Sequence, residues 1–343
     1  MLLDMTLDQL QAAVEQLGQP AYRARQLADW VYRKAVTDPT GMTNLPPGLA
    51  ESFTILTSRL IHRHDSRDET VKCLLEYDDG ERVETVLIPT GRRATACLST
   101  QVGCGMGCRF CATGVGGVRR SLAAGEILQQ LLHLAQAGGR RLTHVVFMGM
   151  GEPLANYEAT VAAVRAIVDP DRFGISARSV TVSTVGLPRQ IRRLAGEDLP
   201  ITLALSLHAP DDALRAQLVP TAGRFPLSDV LAAAKEFYQA RKREVTLEYV
   251  LLAGVNDSVQ CADGLARIAS GLRCSVNLIP YNTVASLPFG RPSPAAVQAF
   301  LHRLQQAGVN ALLRRPRGLD ADAACGQLRQ RLALQQQGTG HPE

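Results

Sequence analysis

Three cysteines fall within the eight residues "CGMGCRFC", at Cys104, Cys108 and Cys111. The spacing is C-x3-C-x2-C. A structural zinc site takes four protein ligands, commonly as two separated pairs, and no second pair follows here. A [4Fe-4S] cluster usually takes four thiolates. Three thiolates would leave one iron open to a small chelating ligand. Glycines at 103, 105 and 107 let the backbone wrap closely around a bulky group. A cluster is the favoured reading, with zinc as its alternative.

Other polar residues stand where apolar runs stop. "MGMGEP" ends one run and supplies Gly151 and Glu152. Its backbone can approach a ligand closely, and its carboxylate can accept hydrogen bonds from an amino group. Alone, it reads equally well as an ordinary strand-to-helix turn. Ser183 ends a second run, Ser206, Leu207 and His208 end a third, and Asn282 ends a fourth. A lone histidine is more often a satisfied packing residue than a ligand; the ring of polar strand ends raises His208 above that.

Five further cysteines remain. Cys73, Cys261 and Cys274 sit in apolar patterns and read as small buried hydrophobes. Cys97 precedes the three-cysteine loop in "ACLSTQVGC". Cys325 lies far away in "RGLDADAACGQL", where Gly and Asp suggest a mobile loop at a helix start. A helix dipole there would favour a thiolate.

The elements that must position these residues follow a strand–loop–helix rhythm from about residue 94. Strand candidates are "TACLST", "THVVFMGM", "SVTVSTV", "ITLALSLHA", "VTLEYVLLAG" and "CSVNLIPYN", with helical segments such as "SLAAGEILQQLLHLAQA" between them. Apolar strands alternating with helices predict a parallel sheet covered by helices. Six repeats are too few for a closed eight-fold barrel, so the fold class is α/β with a partial (β/α)6 barrel. Chemistry then gathers at the C-terminal strand ends. A small helical domain is expected over residues 1–60, with Thr6 capping its first helix and Pro20 opening its second. Residues 61–93 hold a β-hairpin signalled by Asp79-Gly80. The barrel occupies 94–310, and 311–343 form a tail that carries Cys325 and ends in a helix.

Composition sets wide bounds. Of the residues, 46% are hydrophobic and 20% charged, with a formal net charge of +5. That charge permits nucleic-acid binding without requiring it. Basic pairs such as Arg92-Arg93 and Arg314-Arg315 and the run Arg241-Lys242-Arg243 read first as solvated surface. No recognisable RNA-binding module is present. The first residues carry acids and no apolar run with a cleavage site, and no stretch is long enough to span a membrane. The expectation is a cytoplasmic protein with no membrane partner and with reduced cysteines.

"ACLSTQVGCGMGCRFCATG", "VVFMGMGEPLANY", "LALSLHAP", "VNLIPYN" and "DADAACGQL" together resemble the motif set of the RlmN/Cfr family of radical S-adenosylmethionine (SAM) RNA methyltransferases. The likeness runs from about residue 80 to 328, and more loosely through the N-terminal helices. The resemblance implies one [4Fe-4S] cluster per chain on Cys104, Cys108 and Cys111, with SAM on the open iron. It implies that Gly151, Glu152, Ser183, Ser206, Leu207, His208 and Asn282 bind SAM, two molecules of which are used per turnover. RlmN-like members methylate C2 of adenine 2503 in 23S rRNA, and some also act on adenine 37 of tRNA. Direct transfer to C2 is closed, because that electron-poor carbon cannot attack a sulfonium methyl.

The family-type route makes Cys325 an S-methylcysteine and ends in a transient disulfide with Cys97. It implies Glu84 as proton acceptor; by itself Glu84 reads as a solvent-facing strand carboxylate. It also implies an electron donor such as a flavodoxin–reductase system, and a thiol reductant. Alternatives are a Cfr-type enzyme acting on C8, a radical-SAM enzyme that does not methylate, and a zinc-containing RNA-binding protein.

Overall fold

The computed structural model describes residues 1–328. The expected terminal helix of the tail lies outside the described residues. Helix α1 (Leu7–Gln16) opens with Thr6 as N-cap, in a capping box with Gln9, and buries Leu10 and Val14. Helix α2 (Tyr22–Ala28) starts two residues after Pro20 and runs into a wide turn over Asp29–Arg33. These helices dock on the body of the protein. Arg172 donates to the Leu3 carbonyl at 2.6 Å, and Asp4 accepts from Gly125 N–H at 2.8 Å. Gly125 lies in the first turn of α3 (Ala124–Gly138), where a carboxylate meets both unpaired N–H groups and the helix dipole.

One ten-stranded sheet runs through the protein. Its first four strands form an antiparallel meander: β1 (Ser58–Asp65), β2 (Val71–Tyr77), β3 (Arg82–Thr90) and β4 (Arg93–Cys97). The expected Asp79-Gly80 hairpin joins β2 to β3. Strand β1 was not anticipated. It is the sheet's outer edge, with six of its eight residues exposed, so "SRLIHRHD" shows no apolar alternation to read.

From β4 onward all pairing in this sheet is parallel. The order continues through β7 (His144–Phe147), β8 (Val180–Thr184), β9 (Thr202–Ser206), β10 (Val245–Leu251), β11 (Cys274–Pro280) and β12 (Ala311–Leu313). All six expected barrel strands are present. Their crossovers are α3, α4 (Tyr157–Val168), α5 (Pro188–Gly196), α6 and α7 (Asp212–Leu218, Leu227–Arg241), α8 (Val259–Ser270) and α9 (Pro294–Gln306). The architecture is the expected open (β/α)6 barrel, extended at one edge by the meander and at the other by β12. A two-stranded ribbon, β5 (Gln101–Gly103) with β6 (Val118–Ser121), brackets the cysteine loop. No helix among the described residues is long and apolar enough to cross a membrane.

Candidate active site

The cysteine loop follows β5 and is pinned at both ends. Cys104 N–H donates to the Gly117 carbonyl at 2.8 Å, and Arg109 N–H to the Leu218 carbonyl at 2.9 Å. Gly103 makes the tight entry possible. Its φ is +78°, and a Cβ there would stand 2.1 Å from the Gly117 oxygen. Beneath the loop, Phe110 and Ala112 pack with Val185, Leu218, Val219, Leu252 and Tyr281 in a small apolar cluster.

Cys104, Cys108 and Cys111 line one cavity of about 150 Å³. Burial pushes the Cys104 thiol up to about 12, Cys108 well above the usual range, and Cys111 upward. Cys104 and Cys108 also feel the charge of Cys111, and Cys111 that of Cys325. Thiols held this far up are stabilised as thiolates when they ligate a metal, which is the role iron would fill here. Among the described residues, no three His, Cys, Asp or Glu side chains form a ready single-ion site. A cubane takes one thiolate on each of three irons, so its ligands stand farther apart than those of one zinc ion.

Glu152 closes the next wall. Its side chain is buried and accepts from Leu154 N–H at 3.1 Å and Val185 N–H at 2.9 Å. Burial still outweighs these bonds and raises its carboxyl to about 7. Gly151, with φ +102°, lets this strand end pass Gln101; a Cβ there would lie 2.7 Å from the Gln101 Cβ. Ser183 and Ser206, at the ends of β8 and β9, bring their hydroxyls within 3.3 Å of one another at the cavity wall.

His208 also lines the cavity, in the left-handed region at φ +60°. Its Nδ1 accepts from Val250 N–H at 3.2 Å, leaving Nε2 to carry the proton. Its ring meets Phe110 edge-on, and burial pushes its pKa down to about 3. This is a neutral, hydrogen-bonded imidazole. The Leu207 side chain is fully buried and does not line the cavity.

A second cavity, about 370 Å³, adjoins the first. Cys97 lines it, beside Ile88, Thr90, Thr95, Ala323, Ala324 and the arginines of 314–317. Met148, Ile279, Asn282, Arg314 and Cys325 line both cavities. Cys325 is thus the one cysteine among the described residues that faces both spaces. Its loop is placed by Asn282, whose Nδ2 donates to the Cys325 carbonyl at 3.3 Å. Ala112 N–H also donates to the Gly326 carbonyl at 2.8 Å. Cys97 is raised to about 12, first by burial and then by the neighbouring Cys325. Of the other cysteines, Cys73 is fully buried as expected, whereas Cys261 and Cys274 are half-buried.

Glu84 lines neither cavity, nor is it solvent-facing. It is 3% exposed on β3 and forms an ion pair with Lys72 Nζ at 3.2 Å. Its Cα pairs with Leu74, and Val86, two residues on, pairs with both Lys72 and Cys97. Directly paired residues share a sheet face, so Glu84 and Cys97 stand on the same side.

Comparison with known proteins fits this geometry. Residues 98–260 match the radical SAM superfamily, and residues 1–54 match the ribosomal RNA large subunit methyltransferase N-terminal domain. A probable dual-specificity RNA methyltransferase RlmN of Thermosynechococcus vestitus is 49% identical, over 96% of this chain and 98% of the relative. The chain belongs to the RlmN family. A similarly described protein of Symbiobacterium thermophilum is 47% identical, over 95% of this chain and 90% of that one. The crystal structure of a radical SAM methyltransferase from Sphaerobacter thermophilus superposes with a TM-score of 0.91 at 44% identity, covering 95% of this chain and 98% of that one.

As an RlmN-family member the protein is a radical SAM enzyme that uses a [4Fe-4S] cluster and S-adenosylmethionine. The first cavity suits them: it is lined by three soft thiol donors and by an acid with an unfilled acceptor. That acid is Glu248, on β10, which sequence reasoning missed. It is 4% exposed; its Oε1 accepts from Asn277 Nδ2 at 3.0 Å, and its Oε2 has no hydrogen-bond partner. Arg314 Nη1 stands 3.9 Å from Oε2. Arg314 was missed too, read only as half of a surface basic pair. The usable signal was its place directly after β12, at a strand's C-terminal end.

Proposed function

We propose that this RlmN-family protein methylates C2 of an adenosine in 23S rRNA, adenine 2503, and of adenine 37 in tRNA. The observation that carries the reading is the meeting of Cys97 and Cys325, 228 positions apart in the chain, at a cavity adjoining the three-cysteine chamber. A direct methyl transfer would need neither thiol.

In this reading Cys104, Cys108 and Cys111 hold the cluster. Glu152 and the 151–152 backbone receive the amino-acid end of SAM, and Ser183, Ser206, His208 and Asn282 line the rest of its bed. Leu207 contributes through its backbone alone. The cluster, once bound, supplies the electron that makes SAM a source of a carbon radical. Cys325 acts first as a thiolate that takes a methyl group from one SAM by displacement. Loss of one hydrogen turns that S-methyl into a radical that adds to the electron-poor ring carbon. Glu84 takes the ring proton, and the unpaired electron left on the ring returns to the carrier that supplied it. Cys97, as a thiolate, then attacks the Cys325 sulfur; the carbon–sulfur bond breaks with its electron pair going to carbon, which takes up a proton and leaves as the new methyl group of the base. The resulting disulfide requires an external thiol reductant, and the cluster an electron donor of the flavodoxin type. The target base must be extracted from its stack to reach this depth.

The test is anaerobic reconstitution followed by incubation with SAM and a 23S rRNA fragment or tRNA. Mass spectrometry of the digested RNA should show 2-methyladenosine. 8-Methyladenosine would instead make this a Cfr-type enzyme. Unmodified RNA from a protein that still cleaves SAM would overturn the methyltransferase reading.

A further inference from the structure

The loop that carries Cys325 is strapped to the meander at several points. Gly318 N–H donates to Asp68 at 3.0 Å, and Arg317 pairs with the same carboxylate at 3.8 Å. Asp320 accepts from Arg67 N–H at 3.1 Å and from the Ser66 hydroxyl. The innermost strap is Lys72, on β2. Its Nζ pairs with Glu84 Oε1 at 3.2 Å and donates to the Asp322 carbonyl at 3.3 Å. The Lys72 side chain is 11% exposed and that of Glu84 4%.

We propose that Lys72 is a positioning residue that locks the Glu84 carboxylate and the Cys325 loop into one register. The proposal rests on the reading of Glu84 and Cys325 as base and methyl carrier. A buried ion pair is a poor stabiliser, because desolvation consumes most of its Coulombic gain. What it supplies is geometry: the ammonium fixes the distance between two groups that it contacts at once. One ammonium, with three donors, here bridges two groups about 240 positions apart in the chain (84 and 322). Asp322 lies three residues before Cys325, and its φ of +47° makes the turn that aims the carbonyl a defined one. The Lys72 tie therefore holds the thiol-bearing loop against the same sheet face that presents Glu84 and Cys97.

Proton capture by Glu84 would leave a neutral acid beside the ammonium. The strap thereby links the state of the base to the anchor of the loop. That link matters at the last step, when Cys97 must reach the Cys325 sulfur.

The experiment compares Lys72→Met, Lys72→Gln, Lys72→Arg and Glu84→Gln in the iron-loaded full chain. Hydrogen exchange across residues 318–326 is measured without RNA or SAM. The covalent RNA–Cys325 adduct is then measured during turnover. Lys72→Met should speed exchange in that segment by at least about tenfold while the barrel helices keep their protection. It should also raise the trapped adduct relative to released product. Lys72→Arg, which keeps the charge and donors, should restore both. Lys72→Gln keeps a donor without the charge and guards against a Met variant that misfolds; it should hold the loop but still accumulate adduct. Unchanged exchange together with unchanged adduct in both neutral variants overturns the proposal. Should Glu84→Gln methylate RNA normally while Lys72→Met still loosens the loop, the base assignment fails and the strap stands.

Discussion

Glu152 offers the most quantitative test, through the substitution Glu152→Gln. Its carboxyl titrates at about 7 in the folded protein against 4.5 for the unperturbed group, first because burial penalises the anion. An acid whose folded value is raised binds its proton more tightly when folded. Stability from this group is therefore complete below about pH 4.5 and is lost as pH rises through about 7. A gap of about 2.5 units at 1.36 kcal/mol each makes the ionised form cost about 3 kcal/mol. Glutamine has nearly the same volume and cannot ionise. Its single carbonyl oxygen can serve Leu154 N–H or Val185 N–H but not both, a penalty that does not vary with pH.

The assay is chemical denaturation of the metal-free protein and its Glu152→Gln variant at half-unit steps from pH 4.5 to 8. Contributions from all other groups cancel in the difference. The expected difference curve tilts by about 3 kcal/mol across that window, with the parent losing relative to the variant as pH rises. In the iron-loaded protein, the N–H donors of SAM's amino group would meet this carboxylate and favour its charged form. SAM binding by the parent should then strengthen as pH rises towards 8, while binding by the variant should be weaker and flatter. A level difference curve would show that Glu152 is already ionised in the unliganded protein, and would remove the reason for assigning it an amino group.

Three further outcomes follow from the same geometry. Gly103→Ala forces a Cβ against the Gly117 oxygen and into a strained positive φ, worth about 1–3 kcal/mol of strain before the clash; reconstituted iron per chain should fall sharply while far-ultraviolet circular dichroism stays that of the parent. Cys325→Ala should abolish RNA methylation while SAM cleavage persists, and Cys97→Ala should instead accumulate RNA covalently attached to Cys325, visible as a shifted band on a denaturing gel. Arg215 is 1% exposed and donates to the Val185 and Leu207 carbonyls. Arg215→Met strands both, at about 1–3 kcal/mol each, and should lower the melting temperature and weaken SAM binding together.

The parallel strands were legible because strands buried on both faces read as unbroken apolar runs, and their ends are marked by the first polar residue. That rule located Glu152, Ser183, Ser206 and Asn282 at the cavity without any view of the fold. It failed for Glu248, which lies inside the run "VTLEYVLL", where a carboxylate looks like an interruption in a strand. Only the curvature of an open barrel turns that interior position towards a ligand. Strand β1 was hidden for the opposite reason, since an exposed edge carries no hydrophobic period. Helices α5 and α6 are short and rich in polar residues; "PRQIRRLAG" buries its first proline and only three other side chains, Ile191, Leu194 and Ala195. Glu84 shows the limit of local pattern most clearly. Its neighbours suggested solvent, but Lys72, twelve positions earlier in the chain, sits across the ladder and turns it into half of a buried pair.

The two cavities also give a reason why the proposed thiol chemistry would draw on a distant part of the chain. Cys104, Cys108 and Cys111 line the first space only, and Cys97 the second only. In the proposed reading, a group made reactive in the first space must reach a base bound in the second, so its carrier has to face both. Ile279 on β11 also faces both, but a strand side chain is fixed to one face of its sheet and cannot carry a group from one space to the other. A loop lying across the mouth can, provided that it is anchored on either side of its reactive residue. Residues 317–328 meet that requirement: the meander holds one side through Asp68, Lys72 and Asp320. The cysteine loop holds the other, where Ala112 N–H meets the Gly326 carbonyl and Thr113 Oγ1 meets the Leu328 carbonyl at 2.7 Å. The second anchor starts one residue after Cys111, so the segment that would grip the cluster also places the carrier. Thr113→Val removes the 2.7 Å bond and the hydroxyl's bond to Cys111, while all three thiols remain. At matched iron content it should slow methylation of Cys325. Equal rates of Cys325 methylation in parent and variant would mean that the carrier is set by the meander alone.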